Sequence, residues 1–456
     1  MPIASTNPAT GEVEKTFTPH TDAEVDARIA ASLAAHEALR AISIADRAAL
    51  MMRAAELTES SADAMAELAT REMGKPVAQA RGEALKCAWA CRHYAERTAE
   101  YLADDAVDLG DGREAFRRFL PLGPVLAVMP WNYPFWQVYR FAAPALMAGN
   151  TVLLKHASNV PQCALMMDAI FAEAGFPEGA FATLLIGGSR VERVLRDSRV
   201  RAATLTGSEP AGSAVASVAG ELIKPTVLEL GGSDAFIVME SADIDRAVEV
   251  GVTARTQNNG QSCIAAKRFI VDAPVYDEFR AKFATAMEAL TLGDPLDAST
   301  DIGPLVSEAA AAELEGQVEA ALAGGATRVV GATRGRGAFF HPGIVEDIPE
   351  DSESYHQEWF GPVAMLLRAD GLEDALRIAN SSPFGLGGSI FTENPLDMEI
   401  AADRLEAGAT FINAMTASDP RLPFGGIKRS GYGRELAAEG QRAFCNTKTV
   451  VRAAKA

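Results

Sequence analysis

The sequence is poor in cysteine, and no long stretch of it is purely hydrophobic. Five cysteines in 456 residues are too few for a disulfide framework, and no apolar run approaches the ~20 residues that span a bilayer. The amino-terminal residues lack the basic and apolar regions of a secretory signal. Cys87 and Cys91 have His93 nearby but no second pair to complete a metal site. The sequence therefore predicts a reduced, cytoplasmic protein with no membrane partner and no bound metal.

Basic residues are also scarce. The 42 lysines and arginines are outnumbered by 61 aspartates and glutamates, and the formal net charge of −19 argues against a nucleic-acid or anionic-membrane partner. The rest of the composition, 48% hydrophobic and 23% charged, is typical of globular proteins. Because single cores stop growing beyond roughly 250–300 residues, the length predicts two or three domains.

Two series of short apolar strands and helices follow an alanine-rich helical region at 22–102. The first series has predicted strands at 125–129, 151–154, 181–186, 202–206 and 226–230, and predicted helices at 135–147, 162–174, 191–196 and 210–219. The second begins with a helical stripe that ends at Asn258-Asn259-Gly260. Its later strands are predicted at 268–271, 364–367, 389–391 and 410–412, with helices at 275–290, 307–323, 372–379 and 395–405. This alternation predicts two α/β units with parallel sheets, followed by a terminal strand at 446–452.

Ligands of such sheets bind outside the carboxyl ends of the strands, so the residues that follow the strands are candidates. The dinucleotide fingerprint G-x-G-x-x-G is missing. Gly207 and Ser208 instead join a strand to a helix, where backbone N–H groups and the helix dipole could hold a phosphate; an ordinary turn is the alternative. Lys155 ends another strand and could meet a ribose or a phosphate. Ser158 is uncharged and would accept a ribose with or without a 2′-phosphate.

Three side chains are candidates for chemistry. Cys263 follows the Asn-Asn-Gly stop and is either a buried apolar filler or a nucleophile. Glu229 stands in an apolar strand, where desolvation would raise its pKa and make it a general base, unless it belongs to a buried ion pair. Asn132 follows a strand and offers a neutral amide to an oxyanion. No histidine forms a recognisable Cys–His arrangement, which argues against a papain-like hydrolase.

The motifs PWNYP, LTGSEPAG, LELGG, NNGQSC, QEWFGP and PFGGIKRSGYG occur in this order. Together they resemble the aldehyde dehydrogenase superfamily over essentially the whole chain, and KHASNVPQCA with SDPRLPFGGIKRSGYGRE is most similar to the bacterial succinate-semialdehyde dehydrogenases. The resemblance implies that Cys263 attacks the aldehyde to form a thiohemiacetal, whose oxyanion the Asn132 amide and the Cys263 N–H hold. Loss of a hydride to the nicotinamide would leave a thioester, and Glu229 would activate water to hydrolyse it.

The same resemblance implies a site for NADP, favoured or accepted, and for NAD. The positions that match cofactor-lining residues are Trp131, Asn132, Lys155, Ser158, Gly207, Ser208, Leu230, Glu358 and Phe360. Among them, Glu358 would bind the nicotinamide-side ribose. Because position 158 holds a serine rather than an acidic residue, the 2′-phosphate of NADP meets no repulsion there.

The substrate would be recognised by an arginine. The resemblance assigns the remote carboxylate of succinate semialdehyde to Arg140, since a guanidinium can bind a carboxylate through two parallel hydrogen bonds; a surface helix charge is the alternative. Ser418 would add a hydroxyl contact. Gln257 stands where some relatives carry a second arginine, and Arg255 is two residues further away, so glutarate semialdehyde or another ω-oxo acid is an alternative substrate. With Ala265 two residues after the nucleophile, no regulatory disulfide is expected.

The predicted fold class is α/β, with a Rossmann-like cofactor domain, an α/β catalytic domain and a small β oligomerisation element. Their predicted ranges are, in that order, 1–106 with 124–230, then 231–432, then 107–123 with 433–456. The terminal strand is expected to pair with the hairpin at 107–123 or with a neighbouring subunit, as a homodimer or homotetramer. The rival functions are a CoA-acylating semialdehyde dehydrogenase, against which a hydrolytic base at Glu229 argues, and a non-catalytic dinucleotide-binding protein.

Overall fold

The computed structural model describes residues 2–453. Met1 and residues 454–456, which the predicted domain ranges include, lie outside the described residues. Two large β-sheets with helices on their faces make up most of the described chain. No helix within residues 2–453 is both long enough and apolar enough to cross a membrane.

Four helices precede the first large sheet: Asp22–Ala41, Ile44–Ser60, Ala62–Met73 and Val77–Tyr101. The first two begin with capping boxes at Thr21 and Ser43, which satisfy N–H groups that a helix start leaves unpaired. The fourth is the longest, at 25 residues. It packs against the second and third helices and against the helix that follows the PWNYP segment, so it brings side chains from early in the sequence to the site described below.

The first large sheet has six strands, in the spatial order Gly431–Tyr432, Thr226–Glu229, Ala202–Thr206, Pro124–Met129, Thr151–His156 and Phe181–Thr183. The last five are parallel, and the helices of this unit are Trp136–Ala148, Pro161–Glu173, Val191–Arg196 and Glu209–Glu221. The earliest strand lies in the middle, with its successors first on one side and then on the other. Ligands of such sheets bind where this order reverses. The Rossmann-like expectation is confirmed.

The second large sheet has the order Thr327–Val330, Gly343–Glu346, Val363–Ala369, Ala266–Asp272, Asp234–Val238, Gly388–Phe391 and Thr410–Ile412. All neighbouring strands are parallel except the first pair. Its helices are Ile244–Thr256, Tyr276–Glu288, Glu308–Ala323, Glu353–His356, Gly371–Asn380 and Pro395–Arg404. The helix Ile244–Thr256 ends shortly before Cys263, and the strand Ala266–Asp272 begins shortly after it.

Several strand assignments differ from the structure. No strand was predicted at Thr327–Val330 or Gly343–Glu346 of the second sheet. The sequence analysis assigned no strand to Asp234–Val238, a fully buried strand inside the second sheet; so short an apolar run does not by itself distinguish strand from helix. The strand predicted at 181–186 ends at Thr183. Beyond it the chain turns tightly, because the N–H of Ile186 donates to the carbonyl of Leu184, which ends the regular pairing.

A third, three-stranded antiparallel sheet has the order Cys445–Arg452, Glu114–Pro121, Asp105–Asp108. The terminal strand therefore pairs with the hairpin of its own chain, one of the two expected partners. Small two-stranded sheets complete the strands: Ile3–Thr6 with Val13–Phe17, Thr333–Arg334 with Phe340–His341, and Phe384–Gly385 with Ile427–Lys428. A short helix, Ala437–Arg442, precedes the terminal strand. The division into three domains stays a prediction.

Candidate active site

The loop that carries the candidate nucleophile begins where a helix is stopped by backbone conformation. Asn258, Asn259 and Gly260 have φ angles of 58°, 56° and 73°, a left-handed conformation that interrupts a right-handed helix. A Cβ on Gly260 would overlap the backbone of Gly361, so only glycine fits where this loop packs against the QEWFGP segment. The predicted helix stop is confirmed.

The side chains of the two asparagines also hold the loop in place. Asn258 Nδ2 donates to the backbone oxygens of Asn132 at 2.7 Å and Gln261 at 2.9 Å. Asn132 Nδ2 donates to the same Gln261 oxygen at 3.1 Å, which orients the amide and leaves its second hydrogen for another acceptor. Asn259 Nδ2 bonds the backbone oxygens of two further loops. From the sequence these asparagines were expected only to stop the helix, so their second role was not predicted.

Cys263 lies between two cavities and is partly exposed. The smaller cavity, about 210 Å³, is lined by seven of the nine predicted cofactor positions: Trp131, Asn132, Gly207, Ser208, Leu230, Glu358 and Phe360. The larger cavity, about 680 Å³, is lined among others by Lys86, Trp136, Arg140, Gln257, Ser418 and Phe424. Cys263 and Gln137 line both. A thiol at this junction is accessible from two sides, so the alternative of a sealed apolar filler is wrong.

The smaller cavity lies where ligands of parallel sheets bind. It opens between the strands Pro124–Met129 and Ala202–Thr206, where the strand order reverses. Ser208 makes no side-chain cap to the helix Glu209–Glu221, so N–H groups of the first turn are available for a phosphate. Lys155 and Ser158 lie outside this cavity, at the end of the neighbouring strand. Burial lowers the pKa of Lys155, and the predicted contacts of both residues with the dinucleotide stay predictions.

Glu358 belongs to a buried polar cluster that ties the smaller cavity to the thiol loop. Its Oε1 accepts a hydrogen bond from the N–H of Gly232 at 3.2 Å and lies 3.1 Å from Lys267 Nζ. Lys267 Nζ also donates to the carbonyls of Ser262 at 2.6 Å and Cys263 at 2.8 Å, and burial lowers the pKa of this ammonium. The sequence analysis missed Lys267, for which the one signal was a lysine at the start of an apolar strand.

Glu229 is a buried carboxylate without hydrogen bonds. Its side chain is 1% exposed, and within residues 2–453 neither carboxylate oxygen has a hydrogen-bond partner. Burial raises its pKa well above the ordinary range, although Arg140 opposes the shift. It lines neither cavity. A Cβ on Gly425 would come within 2.6 Å of Glu229 Oε1, so the glycine provides the space that the carboxylate occupies.

Arg140 lines the larger cavity but already has a protein partner. It is 2% exposed, so the alternative of a surface helix charge is wrong. Its Nε donates to Glu435, and its Nη2 donates to Thr206 Oγ1 at 3.3 Å. The guanidinium lies 4.5 Å from the centre of the Phe424 ring. Its charge is therefore largely compensated within the protein, and its predicted contact with a substrate carboxylate stays a prediction.

Ser418 also lines the larger cavity, and its predicted contact with the substrate stays a prediction. Ser418 Oγ accepts hydrogen bonds from Lys86 Nζ at 2.9 Å and from Trp136 Nε1 at 3.0 Å. Gln257 lines the same cavity. Arg255 points away from it, fully buried, with Nη2 donating to the carbonyl of Gly260 at 2.7 Å. Lys86 was not among the predicted site residues.

The electrostatics at Cys263 favour the protonated thiol. Burial raises its pKa to about 12, although Arg140 and Lys267 oppose the shift. Since the thiolate is the nucleophilic form, an isolated thiol in this position is poorly reactive at neutral pH. Reaction therefore requires a base that removes the proton, or a positive charge that a ligand brings beside the sulfur.

Comparison with known proteins agrees with this fold. The sequence model described as "Aldehyde dehydrogenase family" matches residues 1–450. The chain is 55% identical to the succinate-semialdehyde dehydrogenase [NADP(+)] of Mycobacterium avium (strain 104) over 455 residues, 99% of this chain and 96% of that protein. The corresponding protein of Mycobacterium leprae (strain TN) is 55% identical over 454 residues, 99% of each chain.

A solved structure is similar over the same length. The crystal structure of succinic semialdehyde dehydrogenase from Streptococcus pyogenes, in complex with NADP+ as the cofactor, matches with a TM-score of 0.96 at 37% identity. The match covers 98% of this chain and 99% of that one. Two large α/β sheets thus carry a cysteine between a cavity at the strand ends and a second, larger cavity. The chain belongs to the aldehyde dehydrogenase family.

Proposed function

We propose that the protein oxidises succinate semialdehyde to succinate, with NADP as the favoured cofactor and NAD as an accepted one. The observation that carries this proposal is the position of Cys263, which is accessible from the larger cavity and from the smaller cavity. An aldehyde held in one can thus be joined to sulfur beside a dinucleotide held in the other. The names of relatives at 55% identity support the choice of substrate and cofactor.

In the first half of the proposed reaction, the Cys263 thiol would lose its proton to water, a loss that the positive charge of a bound nicotinamide ring would favour. The Cys263 Sγ thiolate then forms a bond to the aldehyde carbon, and the carbonyl oxygen becomes an oxyanion. The hydrogen of Asn132 Nδ2 that Gln261 does not accept, together with the backbone N–H of Cys263, would stabilise that oxyanion. The bound dinucleotide supplies the hydride acceptor, with Glu358 as the carboxylate for its nicotinamide-side ribose. Loss of the hydride leaves a thioester on the sulfur, and covalent attachment makes the transfer effectively intramolecular.

In the second half, Glu229 would accept a proton from water while the water oxygen attacks the thioester carbon. The carbon–sulfur bond then breaks and succinate leaves. A raised pKa makes the Glu229 carboxylate a stronger base than an ordinary glutamate. Because its carboxylate has no hydrogen bonds to break and lines neither cavity, a side-chain rotation toward the thioester is part of the proposal.

The remote carboxylate of the substrate is proposed to lie in the larger cavity, away from Cys263. Arg140 and Ser418 both line this cavity, which supports the roles expected from the sequence. The guanidinium of Arg140 is shared with Glu435, so it would act on the substrate more through its field than as an unpaired cation.

A homodimer or homotetramer is also proposed. The terminal strand Cys445–Arg452 is eight residues long and, within residues 2–453, pairs on one side only. Val451 on this strand is 47% exposed, and Val107 on the opposite edge strand is 40% exposed. Long unpaired edges are usually covered in native proteins, and a second subunit would cover this one. A cytoplasmic location stays an expectation from the sequence.

The test is a panel of kcat/KM values for succinate semialdehyde, glutarate semialdehyde and butanal, each with NADP and NAD. The highest kcat/KM is expected for succinate semialdehyde with NADP, at least about tenfold above that for butanal. The reason is that the carboxylate of succinate semialdehyde is attracted to the positive side chains of the larger cavity, whereas butanal has no charge. Free succinate should be the product when CoA is present. An equal or higher value for butanal, or formation of succinyl-CoA, would contradict the proposal.

A further inference from the structure

The two cations that line the larger cavity differ in how they are neutralised. Arg140 is paired with Glu435. Lys86 has no carboxylate within ion-pair distance in the part of the chain that the structure describes. The acidic side chains nearest to it in electrostatic effect are already engaged: Glu83 with Lys75, and Asp419 with Arg421. One wall of the cavity therefore presents an uncompensated positive charge.

The position of Lys86 is fixed by the helix that carries it. Glu83, three residues earlier on the helix Val77–Tyr101, accepts hydrogen bonds from the N–H groups of Phe135 at 2.9 Å and Trp136 at 2.8 Å. These bonds join the helix to the start of the helix that bears Arg140. They place the Lys86 ammonium 4.4 Å from the centre of the Trp136 ring, where the ring face also favours a cation.

The hydrogen-bonding groups around Lys86 leave donors available to a ligand. The ammonium has three hydrogens, of which one is donated to Ser418 Oγ. Ser418 Oγ accepts a second hydrogen bond from Trp136 Nε1, so both of its lone pairs are used and its own hydrogen points elsewhere. Within residues 2–453 no acceptor receives that hydrogen. A cation and a hydroxyl donor on one cavity wall match the needs of a carboxylate.

Burial makes such a ligand favourable. It lowers the pKa of Lys86 to about 8, and the positive charge of Arg140 adds to the effect. At neutral pH the ammonium is thus still charged but poorly solvated, and a carboxylate brought into contact would restore the lost interaction. Lys86 lacks a carboxylate partner in the described part of the protein, and an ω-oxo acid carries a carboxylate.

We propose that Lys86, together with the Ser418 hydroxyl, binds the remote carboxylate of the substrate and sets the preference of the site for ω-oxo acids over uncharged aldehydes. This inference rests on the proposed function and adds to it the residue that determines specificity. Arg140, whose guanidinium Glu435 and Thr206 already hold, acts on that carboxylate only through its field.

The experiment compares Lys86→Met, which keeps the apolar stem, with Lys86→Arg, which keeps the charge. Lys15→Met is the matched control, because Lys15 is exposed on the strand Val13–Phe17, away from both cavities. The quantity measured is the ratio of kcat/KM for succinate semialdehyde to that for butanal. Succinate is also tested as an inhibitor of butanal oxidation, and Tm is recorded for each variant.

Lys86→Met is expected to lower the ratio by about ten- to a hundredfold, chiefly through KM, and to weaken inhibition by succinate to a similar degree. Lys86→Arg should retain most of the ratio, and Lys15→Met should match the wild type. A fall that is equal for both aldehydes, or an unchanged ratio in a folded Lys86→Met protein, would overturn the inference. Should Lys86→Met not fold, a ratio in Lys86→Gln equal to the wild type would do the same. The ratio in the wild type tests the proposed function separately.

Discussion

The two cavities that meet at Cys263 are built in different ways. The smaller cavity is formed where parallel strands end, from turn residues, backbone groups and one carboxylate, that of Glu358. The larger cavity is formed by side chains from three helices and several loops that are distant in sequence, and it holds both cations, Lys86 and Arg140. The cofactor is bound mainly by backbone groups and turn residues, whereas the aldehyde is selected by side chains.

This difference has a testable consequence. Changes in the smaller cavity should alter cofactor use and leave the choice among aldehydes alone. Changes in the larger cavity should alter the choice among aldehydes with either cofactor. Only residues that act on the reacting atoms, at the junction between the cavities, should affect every combination of substrate and cofactor equally.

The largest effect is expected for Cys263→Ala. Because the sulfur forms the bond to the aldehyde carbon, its removal should reduce kcat/KM by on the order of 10⁴-fold or more for every aldehyde and both cofactors. Cys445→Ala is the matched control, since Cys445 is also partly exposed and burial also raises the pKa of its thiol to about 12. Formation of NADPH measures the rate. Comparable activity in Cys263→Ala and Cys445→Ala would show that Cys263 is not the nucleophile.

A smaller but still large effect is expected for Glu229→Gln. The first turnover should still produce NADPH, while steady-state kcat should fall by about 10²- to 10⁴-fold, because the thioester lacks its base. The sign of the pH effect follows from the raised pKa. In the wild type, the carboxylate form and hence thioester hydrolysis are lost as the pH falls through that raised pKa, whereas Glu229→Gln should show no such loss. Rapid-mixing kinetics over a range of pH measure both features.

Glu72 provides the control for this variant, since burial also raises its pKa. Unlike Glu229, Glu72 is fully hydrogen-bonded: it accepts from Ser5 and from the N–H groups of Gln162 and Cys163. Glu72→Gln should therefore lower Tm and leave the steady-state rate unchanged. A loss of the burst in Glu229→Gln, or an equal loss of kcat in both variants, would assign Glu229 a structural role.

How much of the site could be predicted depends on how local its signals are. Three residues could be identified from short stretches of sequence. Cys263 follows a helix stop, Asn132 follows a strand, and Glu229 is a carboxylate within an apolar strand. Lys86 stands in an ordinary helical sequence. Its proposed role in binding the substrate follows only from its contact with Ser418, which is 332 residues further along the chain.

The same limit explains the account of Arg140. The sequence indicates a guanidinium near the nucleophile. Its partner Glu435 is 295 residues away and follows the PFGGIKRSGYG motif, in which no ion pair was predicted. The fold itself was more predictable, since the alternation of strands and helices is a local pattern repeated many times. Buried side-chain pairing between distant segments is decided by tertiary packing, which no short window of the sequence contains.

The smallest effect is expected for Ser158→Glu, which tests the cofactor side alone. The backbone oxygen of Ser158 accepts a hydrogen bond from Ala4 N at 3.0 Å, so the position is held while the side chain is partly exposed beyond the strand end. A carboxylate there should repel the 2′-phosphate of NADP and accept a hydrogen bond from the 2′-hydroxyl of NAD, shifting the NADP to NAD ratio of kcat/KM by about tenfold or more toward NAD.

Ser158→Ala removes the hydroxyl without adding charge and should leave that ratio close to the wild type. The shift in Ser158→Glu should be the same whether succinate semialdehyde or butanal is oxidised, because position 158 lies outside both cavities, on the side of the smaller one. An unchanged NADP to NAD ratio of kcat/KM in Ser158→Glu would show that position 158 does not determine cofactor preference. A cofactor ratio that depends on the aldehyde would show that the two cavities are energetically coupled through the residues they share, Cys263 and Gln137.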